Sequence, residues 1–273
     1  MIDKNRSIIK SINTFGSYFL LILAGLTLAI SAPVKDENSL EKADRHFSQR
    51  YKGAKALKAQ PQHINRAIAF YKKAMKVDSI QQEAIVGLLR SYEFKSKFVA
   101  TNKDQKIEIL EEAKALSKEM SQKYPANIKI TYWYLAVLGE WSRTVGVIKA
   151  SSNNVAERLI NKAEQVIKEA PEYDAAGAYR ILGGMHLKVP HIPFVISWPS
   201  DEKALDYLHK AYVLAPKNLA NVVLYAQVLD ETGDTQQAID LLKKNVDKKP
   251  RETNILEDIT YLEQARELLK EYQ

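Results

Sequence analysis

One recurring pattern limits the fold of this chain more than any other feature. A small residue is followed by an apolar residue four positions later, a small residue three later and a helix-breaking residue five beyond. The full pattern occurs at Ala204, Leu208, Ala211 and Pro216, and breaks recur near positions 79, 125, 171, 216 and 250. Because small residues at this spacing lie on one helix face and let another helix approach closely, the pattern predicts tandem pairs of antiparallel helices.

The composition also predicts helices almost throughout. Of 273 residues only 10 are Gly and 9 are Pro, which counts against collagen, disordered linkers, Gly-rich phosphate loops and small all-β domains. A net charge of +7, without a run of more than two adjacent basic residues, does not indicate nucleic-acid binding. The chain contains no Cys, which excludes disulfides, thiolate nucleophiles, zinc–thiolate sites and lipidated cysteine.

The segment from Leu219 to about Glu252 resembles a tetratricopeptide (TPR) repeat. The matching positions are Ala226 in helix A, Gly233 and Asp234 at the turn, Ala238 and Leu242 in helix B, and Pro250 at the end. Asn245 departs from the repeat pattern, which prefers Ala there. The resemblance implies an all-α, TPR-like superhelix of about eleven antiparallel helices that forms one domain over residues 32–273.

The spacing of the breaks predicts where the repeats carry additional residues. The breaks are separated by 46, 46, 45 and 34 residues, and only the last value equals the standard period of about 34. The apolar periodicity places the extra length around residues 98–104, 147–154 and 188–199. Asn38 and Glu41 predict a capping box for the first helix. Apolar positions from Ile255 to Leu269 predict a last amphipathic helix that caps the array.

The first 31 residues predict an export segment. Lys4, Arg6 and Lys10 precede an apolar stretch over residues 15–32, and small residues occur near its end, as in a secretory signal peptide. Cleavage after Ser31 would start the mature chain at Ala32. The alternative is an uncleaved membrane anchor, since about 18 apolar residues almost reach the roughly 20 that span a bilayer. Either reading places residues 32–273 in the periplasm or another exported location, tethered to the membrane if the segment is not cleaved.

Little in the sequence indicates catalysis or a cofactor. It contains no nucleophile motif, no Gly-rich phosphate loop and no HExxH sequence. His186 and His191 are five residues apart, without nearby Cys or clustered carboxylates, so they do not predict a metal site. We therefore expect a non-enzymatic protein with no catalytic residue, metal or cofactor.

Aromatic and basic residues supply the candidate ligand-binding positions. If Gly139 occupies the eighth position of its repeat, Trp133, Glu140 and Arg143 fall at groove-facing positions of helix A. The same alignment places Arg180 and Arg90 on the concave wall, where several arginines would suit a carboxylate or another anion. Two alternatives stay open: the aromatic residues fill space between long repeats, and the arginines pair with neighbouring carboxylates to hold the repeats in register.

The insertion from Lys188 to Pro199 is a second candidate region. It is too Pro-rich for a helix, and its apolar residues, including Phe194 and Trp198, need to be covered. The loop is expected either to fold across the groove as a lid or to form an association surface, which leaves a homo-oligomer possible. The complete set of candidate ligand-binding residues is Arg90, Trp133, Trp141, Arg143, Arg180, His186, Phe194 and Trp198.

The segments "YWYLAVLGEW" and "YRILGGMHLKVP", the latter followed by "DEKALDYLHKAYVLAP", resemble the periplasmic TPR protein, or T component, of tripartite ATP-independent (TRAP) transporters. The similarity covers residues 128–250. It implies an exported protein that docks a periplasmic solute-binding protein and holds a hydrophobic or organic-acid ligand in a central channel, with Trp133, Trp141, Arg180 and the loop of residues 190–199 near it. The T components are lipoproteins, whereas this chain has no Cys for such an anchor.

Two classes of function remain from the sequence. The first is a non-enzymatic scaffold that binds a small hydrophobic or anionic ligand or a partner protein, as an accessory to solute uptake. The second is a cell-envelope assembly scaffold whose groove holds a peptide segment. A deep pocket with arginines favours the first class, and a long open groove with distributed polar contacts favours the second.

Overall fold

The computed structural model describes residues 38–146, 154–190 and 198–273. In these ranges the chain forms eleven α-helices and no β-strand, which confirms the predicted all-α class. The helices are α1 (Ser39–Ser48), α2 (Pro61–Ala74), α3 (Gln81–Phe98), α4 (Lys103–Lys123), α5 (Ile128–Val145), α6 (Val155–Glu169), α7 (Tyr173–Lys188), α8 (Asp201–Leu214), α9 (Leu219–Glu231), α10 (Thr235–Lys243) and α11 (Ile255–Glu271).

Local sequence signals set several helix starts. The predicted capping box is present at α1: the Asn38 side chain accepts a hydrogen bond from the Glu41 backbone N–H, and the Glu41 carboxylate accepts one from the Asn38 N–H. Ser200 caps α8 by accepting a hydrogen bond from the Lys203 N–H, so this helix begins where the sequence predicts.

The helices form two layers. Each helix packs against the next along the chain, and the odd-numbered helices also pack against one another in the order α1, α3, α5, α7, α9, α11. We call these six the inner helices and the even-numbered ones the outer helices. A layer of inner helices flanked by outer helices is the arrangement of an α-solenoid.

Glycines permit close contact between inner and outer helices. A Cβ atom at Gly87 on α3 would overlap the ring of Tyr71 on α2. A Cβ at Gly183 on α7 would lie 2.5 Å from Leu208 Cγ on α8. Glycines on the inner helices therefore let apolar residues of the outer helices, including Leu208 of the recurring pattern, pack closely against them.

The extra length of the repeat between the breaks near 79 and 125, which we call the second repeat, lies in its helices rather than in a loop. We predicted additional residues around 98–104, but α3 and α4 are 18 and 21 residues long and only residues 99–102 connect them. The physical reason is that buried residues continue as far as Phe98 on α3 and Ser121 on α4, so both helices extend before the chain turns. The predicted extra segment at 147–154 lies almost entirely outside the described residues.

The last helix returns to the first. The Tyr51 hydroxyl, just after α1, donates to the Glu257 carboxylate of α11 at 2.6 Å and lies 2.9 Å from the Thr253 carbonyl oxygen. The Arg50 guanidinium donates to the same carbonyl. These contacts join residues about two hundred positions apart and close the layer of inner helices into a ring.

No helix among the described residues is long and apolar enough to cross a membrane. The segment predicted to direct export, residues 1–31, lies outside the part of the chain that the structure describes.

Candidate functional site

A cavity of about 150 Å³ lies inside the ring, and all six inner helices or their ends contribute to it. Its wall contains the aromatic residues Phe47, Phe94, Trp133 and Tyr261. The remainder of the wall is largely charged, with the cations Arg50, Arg90, Lys97, Arg180 and Arg251 and the carboxylates Glu93, Asp174, Glu257 and Asp258. We call this space the central cavity.

Most of these charges neutralise one another in pairs. Three ion pairs line the cavity: Lys97 with Glu93, Arg180 with Asp174, and Arg251 with Asp258. The remaining charged residues are Arg50, Arg90 and Glu257. The wall therefore carries an excess of one positive charge, which is concentrated near the two unpaired arginines.

Arg50 is a buried guanidinium whose charge has no direct carboxylate partner. Its side chain donates to the carbonyl oxygens of Phe47 and Thr253 and to the Tyr51 hydroxyl, and the residue is 6% exposed. Its Nε–H is buried and has no acceptor among the described residues. Burial lowers the pKa of Arg50, because removal from water disfavours the charged form. A buried donor without an acceptor is costly, and the packing around Arg50 offsets that cost.

Arg90 provides the second unpaired cation. No carboxylate of the described residues lies within 4.0 Å of its guanidinium. Instead, the group lies over two aromatic rings, 4.8 Å from the Phe47 centroid and 5.8 Å from the Trp133 centroid. Such faces attract the cation, while its N–H donors form no hydrogen bond to a described residue and the residue is exposed to water. Arg90 also lowers the pKa of Arg50 by electrostatic repulsion, so the two positive charges act on the same space.

Arg180 is held more firmly than Arg90. It donates to the Asp174 carboxylate at 3.1 Å, to the Ala175 carbonyl oxygen at 3.1 Å and to the buried Asn221 side chain at 2.9 Å. Burial lowers the pKa of Arg180, but the neighbouring Tyr132 and Asp174 raise it overall. Most donors of Arg180 therefore serve the fold, and its charge is largely neutralised.

A left-handed turn positions the partner of Arg180. Asp174, Ala175 and Ala176 have φ of 51°, 56° and 59°, a conformation that costs about 1–2 kcal/mol per non-glycine residue. The turn directs the Asp174 carboxylate to accept hydrogen bonds from both Tyr132 and Arg180. Asn221 stabilises it by donating to the Ala175 carbonyl oxygen. Unfavourable backbone geometry thus persists beside the cavity because surrounding groups hold it in place.

Glu257 offsets only part of the positive charge. Burial raises the pKa of this carboxyl, although the hydrogen bond from Tyr51 and the charge of Arg50 act in the opposite direction. A carboxyl with a raised pKa takes up a proton more readily than an exposed one, which would remove the only unpaired negative charge of the wall.

The predicted site residues divide among four places. Arg90, Trp133 and Arg180 line the central cavity. Trp141 instead lies between α4 and α5, where its Nε1–H donates to Glu111 at 2.6 Å and Lys114 lies over its ring. Arg143 is exposed, pairs with Glu140 and lines a different pocket at the end of α5.

His186 and Trp198 meet away from the central cavity. The His186 ring packs against the Trp198 ring with a centroid distance of 5.4 Å and stacks near Tyr207 of α8. Its Nδ1 accepts a hydrogen bond from the Ser200 N–H, and burial lowers the pKa of the imidazole. This end of the 188–199 loop is therefore packed on α7 and α8. Phe194 lies outside the described residues.

Sequence reasoning missed the contributions of the first and last inner helices. Arg50, Arg251 and Glu257 reach the cavity only because α11 returns to α1. No local signal marks Arg50 and Arg251, because both lie in connections outside the inner helices. The contact between the end of α1 and the start of α11 joins distant parts of the chain, and the repeat pattern does not encode it.

The described residues contain no group of three or more His, Asp or Glu side chains that is arranged to hold a metal ion. The central cavity instead offers charge-assisted hydrogen-bond donors from guanidinium groups, which suit the planar oxygen pair of a carboxylate.

Comparison with protein-family models gives no match to this chain, and no curated protein matches it. The resemblance to TPR proteins and to the T component therefore remains a prediction from the sequence.

Proposed function

We propose that this protein is a non-enzymatic binding protein of the TPR-like class, and that its central cavity takes a small organic acid through the acid's carboxylate. The observation that carries the proposal is the pair of unpaired guanidiniums on the cavity wall. Neither Arg50 nor Arg90 has a carboxylate of the described residues within ion-pair distance, although both line the cavity. One carboxylate would neutralise the excess positive charge and accept hydrogen bonds from the Arg90 guanidinium.

The size of the cavity restricts the ligand. A cavity of about 150 Å³ accommodates a molecule the size of benzene. Such a volume is below the 300–1,000 Å³ typical of sites for drug-sized ligands. Small hydroxy acids, oxo acids and aromatic carboxylates fit this limit, and long-chain lipids do not. The polar wall likewise favours a compact acid over a strongly apolar ligand.

The closed ring favours a small ligand over a peptide. A bound helical peptide would be about 10–12 Å in diameter with its side chains. It would therefore need an open groove along the inner helices. Contacts of Tyr51 with Thr253 and Glu257 span the two ends of the array at the place where such a groove would open. The peptide-holding scaffold is therefore the weaker candidate.

The cellular setting is part of the proposal and rests on the sequence. The basic and apolar pattern of residues 1–31 supports export to the periplasm, by a cleaved signal or with a membrane anchor. Binding of a small organic acid agrees with the role of an accessory to solute uptake that passes its ligand to or from a solute-binding protein.

A matched pair of ligands tests the proposal. Calorimetric titration with benzoate and lactate is compared with benzamide and lactamide, which have similar shapes but no charge. We expect saturable binding of at least one acid and no binding of its amide. Replacing Arg90 with Gln removes a charge-assisted contact of about 1.5–3 kcal/mol, so affinity should fall about tenfold or more.

Arg66→Gln is the matched control, because Arg66 is an exposed arginine on the outer helix α2. This variant should bind the acid as the unmodified protein does. Equal affinity for acid and amide, or unchanged binding by the Arg90→Gln variant, would contradict the proposal.

A further inference from the structure

A second pocket, of about 410 Å³, lies at the connection between α3 and α4. It is formed by the end of α3, the connection to α4, the first turns of α4, the end of α5 and Lys58 from the α1–α2 connection. The wall contains Lys58, Ser96, Lys97, Ala100, Thr101, Asn102, Lys103, Lys106, Arg143 and Thr144. Five of these residues are cations and none is acidic. We call this space the basic pocket.

Two carboxylates behind the wall neutralise only part of this charge. Glu140, whose side chain is 5% exposed, forms ion pairs with both Lys106 and Arg143. Burial raises the pKa of Glu140, but Lys97, Arg143 and Lys106 lower it more, to about 2, so the group is ionised at neutral pH. Glu93 pairs with Lys97. Five cations against two carboxylates leave about three positive charges.

The two remaining lysines have no acidic partner in the described part of the chain. The Lys58 ammonium donates to the Ala100 carbonyl oxygen at 2.9 Å, which fixes its position without cancelling its charge. Lys103 is exposed and forms no ion pair with any described residue. Thr101, Asn102 and Thr144 also line the pocket, so its wall contains neutral polar residues as well as cations.

We propose that the basic pocket binds a phosphate monoester. Three excess charges exceed what one carboxylate neutralises, whereas a phosphate monoester carries close to two negative charges at neutral pH and three oxygen acceptors. Lysines bind phosphate as point charges that do not require the fixed geometry of a carboxylate pair. The pocket is larger than a phosphoryl group, so it has room for the organic part of the ester.

The proposal is independent of the organic-acid site. Lys97 borders both spaces, but the other cations of the basic pocket do not line the central cavity. A protein whose central cavity binds nothing would still carry this charge excess. Loss of either binding event therefore leaves the other testable.

The test is a titration of the full chain with glycerol 3-phosphate and with inorganic phosphate, followed by calorimetry or phosphorus NMR. We expect saturable binding that weakens as salt is raised. Lys103→Glu should weaken it at least about tenfold, because a repulsive charge replaces an attractive one beside a dianion. Lys118→Glu is the control, since it makes the same change at an exposed position on α4 about 22 Å further along the helix.

Two additional measurements distinguish a soluble phosphate ester from a lipid headgroup, and the basic pocket from the central cavity. In the first, the protein binds no soluble ester and still co-sediments with vesicles that contain phosphatidic acid. That result would identify a lipid headgroup as the source of the phosphate and support the phosphate site. Arg90→Gln should leave phosphate binding unchanged. Circular dichroism checks that each variant is folded.

Three results would overturn the proposal. The first is no saturable binding of any phosphate probe by the folded protein. The second is equal binding by the Lys103→Glu and Lys118→Glu variants. The third is co-sedimentation with neutral phosphatidylcholine vesicles to the same extent as with vesicles that contain phosphatidic acid.

Discussion

Two adjacent glycines on α7 offer a direct test of the helix packing. Gly183 lies against α8, where an added Cβ would be 2.5 Å from Leu208 Cγ and 3.1 Å from the Leu208 backbone nitrogen. Leu208 is fully buried, and its backbone cannot move without shifting α8. Gly184 has open space on its side, with no atom within 4 Å of an added Cβ.

Alanine at either position changes the same helix propensity, so the difference between the variants isolates the contact with α8. Each substitution gains about 1 kcal/mol from the better helix former. Overpacking at Gly183 costs about 1–3 kcal/mol. The Gly183→Ala variant should therefore be about 1–3 kcal/mol less stable than the Gly184→Ala variant. In a domain of this size that difference corresponds to roughly 2–12 °C in melting temperature.

Thermal and urea unfolding, followed by far-ultraviolet circular dichroism, measures both variants under identical conditions. We expect Gly184→Ala to be more stable than the unmodified protein and Gly183→Ala to be the less stable of the two variants. Equal stability of the two variants would refute the close approach of α7 and α8 at Gly183 and Leu208.

Two further predictions concern buried polar groups. Although burial raises the pKa of Glu140, its ion pairs lower it from an ordinary value of 4.5 to about 2 in the folded protein. They therefore stabilise the fold above about pH 4.5, by on the order of 3 kcal/mol. This contribution is lost as the pH falls toward 2. The Glu140→Gln variant should therefore show a weaker fall in unfolding free energy between pH 5 and pH 2, and an unchanged acid dependence would contradict this. The Asn221→Ala substitution should lower the free energy of unfolding, measured in urea, by about 2–3 kcal/mol. Asn221 donates hydrogen bonds to the Ala175 and Ala211 carbonyl oxygens and accepts one from Arg180, and the variant loses all three. A loss below about 0.5 kcal/mol would show that the network is not formed.

Local signals in the sequence predicted much of the fold. The capping box at Asn38 and Glu41 involves residues three apart, and the start of α8 after Ser200 depends on one side chain. Such features need no knowledge of distant parts of the chain. The extra length of the second repeat was misplaced because a helix extended by a turn and a longer loop leave similar spacings between breaks.

The site was harder to predict because it depends on helix phase and on closure. Trp141 and Arg143 follow Trp133 by eight and ten residues, which turns them by about 80° in opposite directions around α5 and moves them about 12–15 Å along it. They therefore face other neighbours, Glu111 and the basic pocket, while Trp133 faces the central cavity. Arg50 reaches the cavity only through the return of α11, which no repeat alignment contains.

The central claim is that the two ends of the layer of inner helices meet beside the central cavity. Since the chain contains no Cys, spin labels can be attached at Lys52→Cys and Glu252→Cys, two exposed positions next to the contact between Tyr51 and Thr253. Pulsed electron spin resonance then measures the distance between the labels. We predict one short, narrow distance distribution that broadens on unfolding. A long or broad distribution in the folded protein, as an open superhelix would give, would contradict the closed ring and the anion site within it.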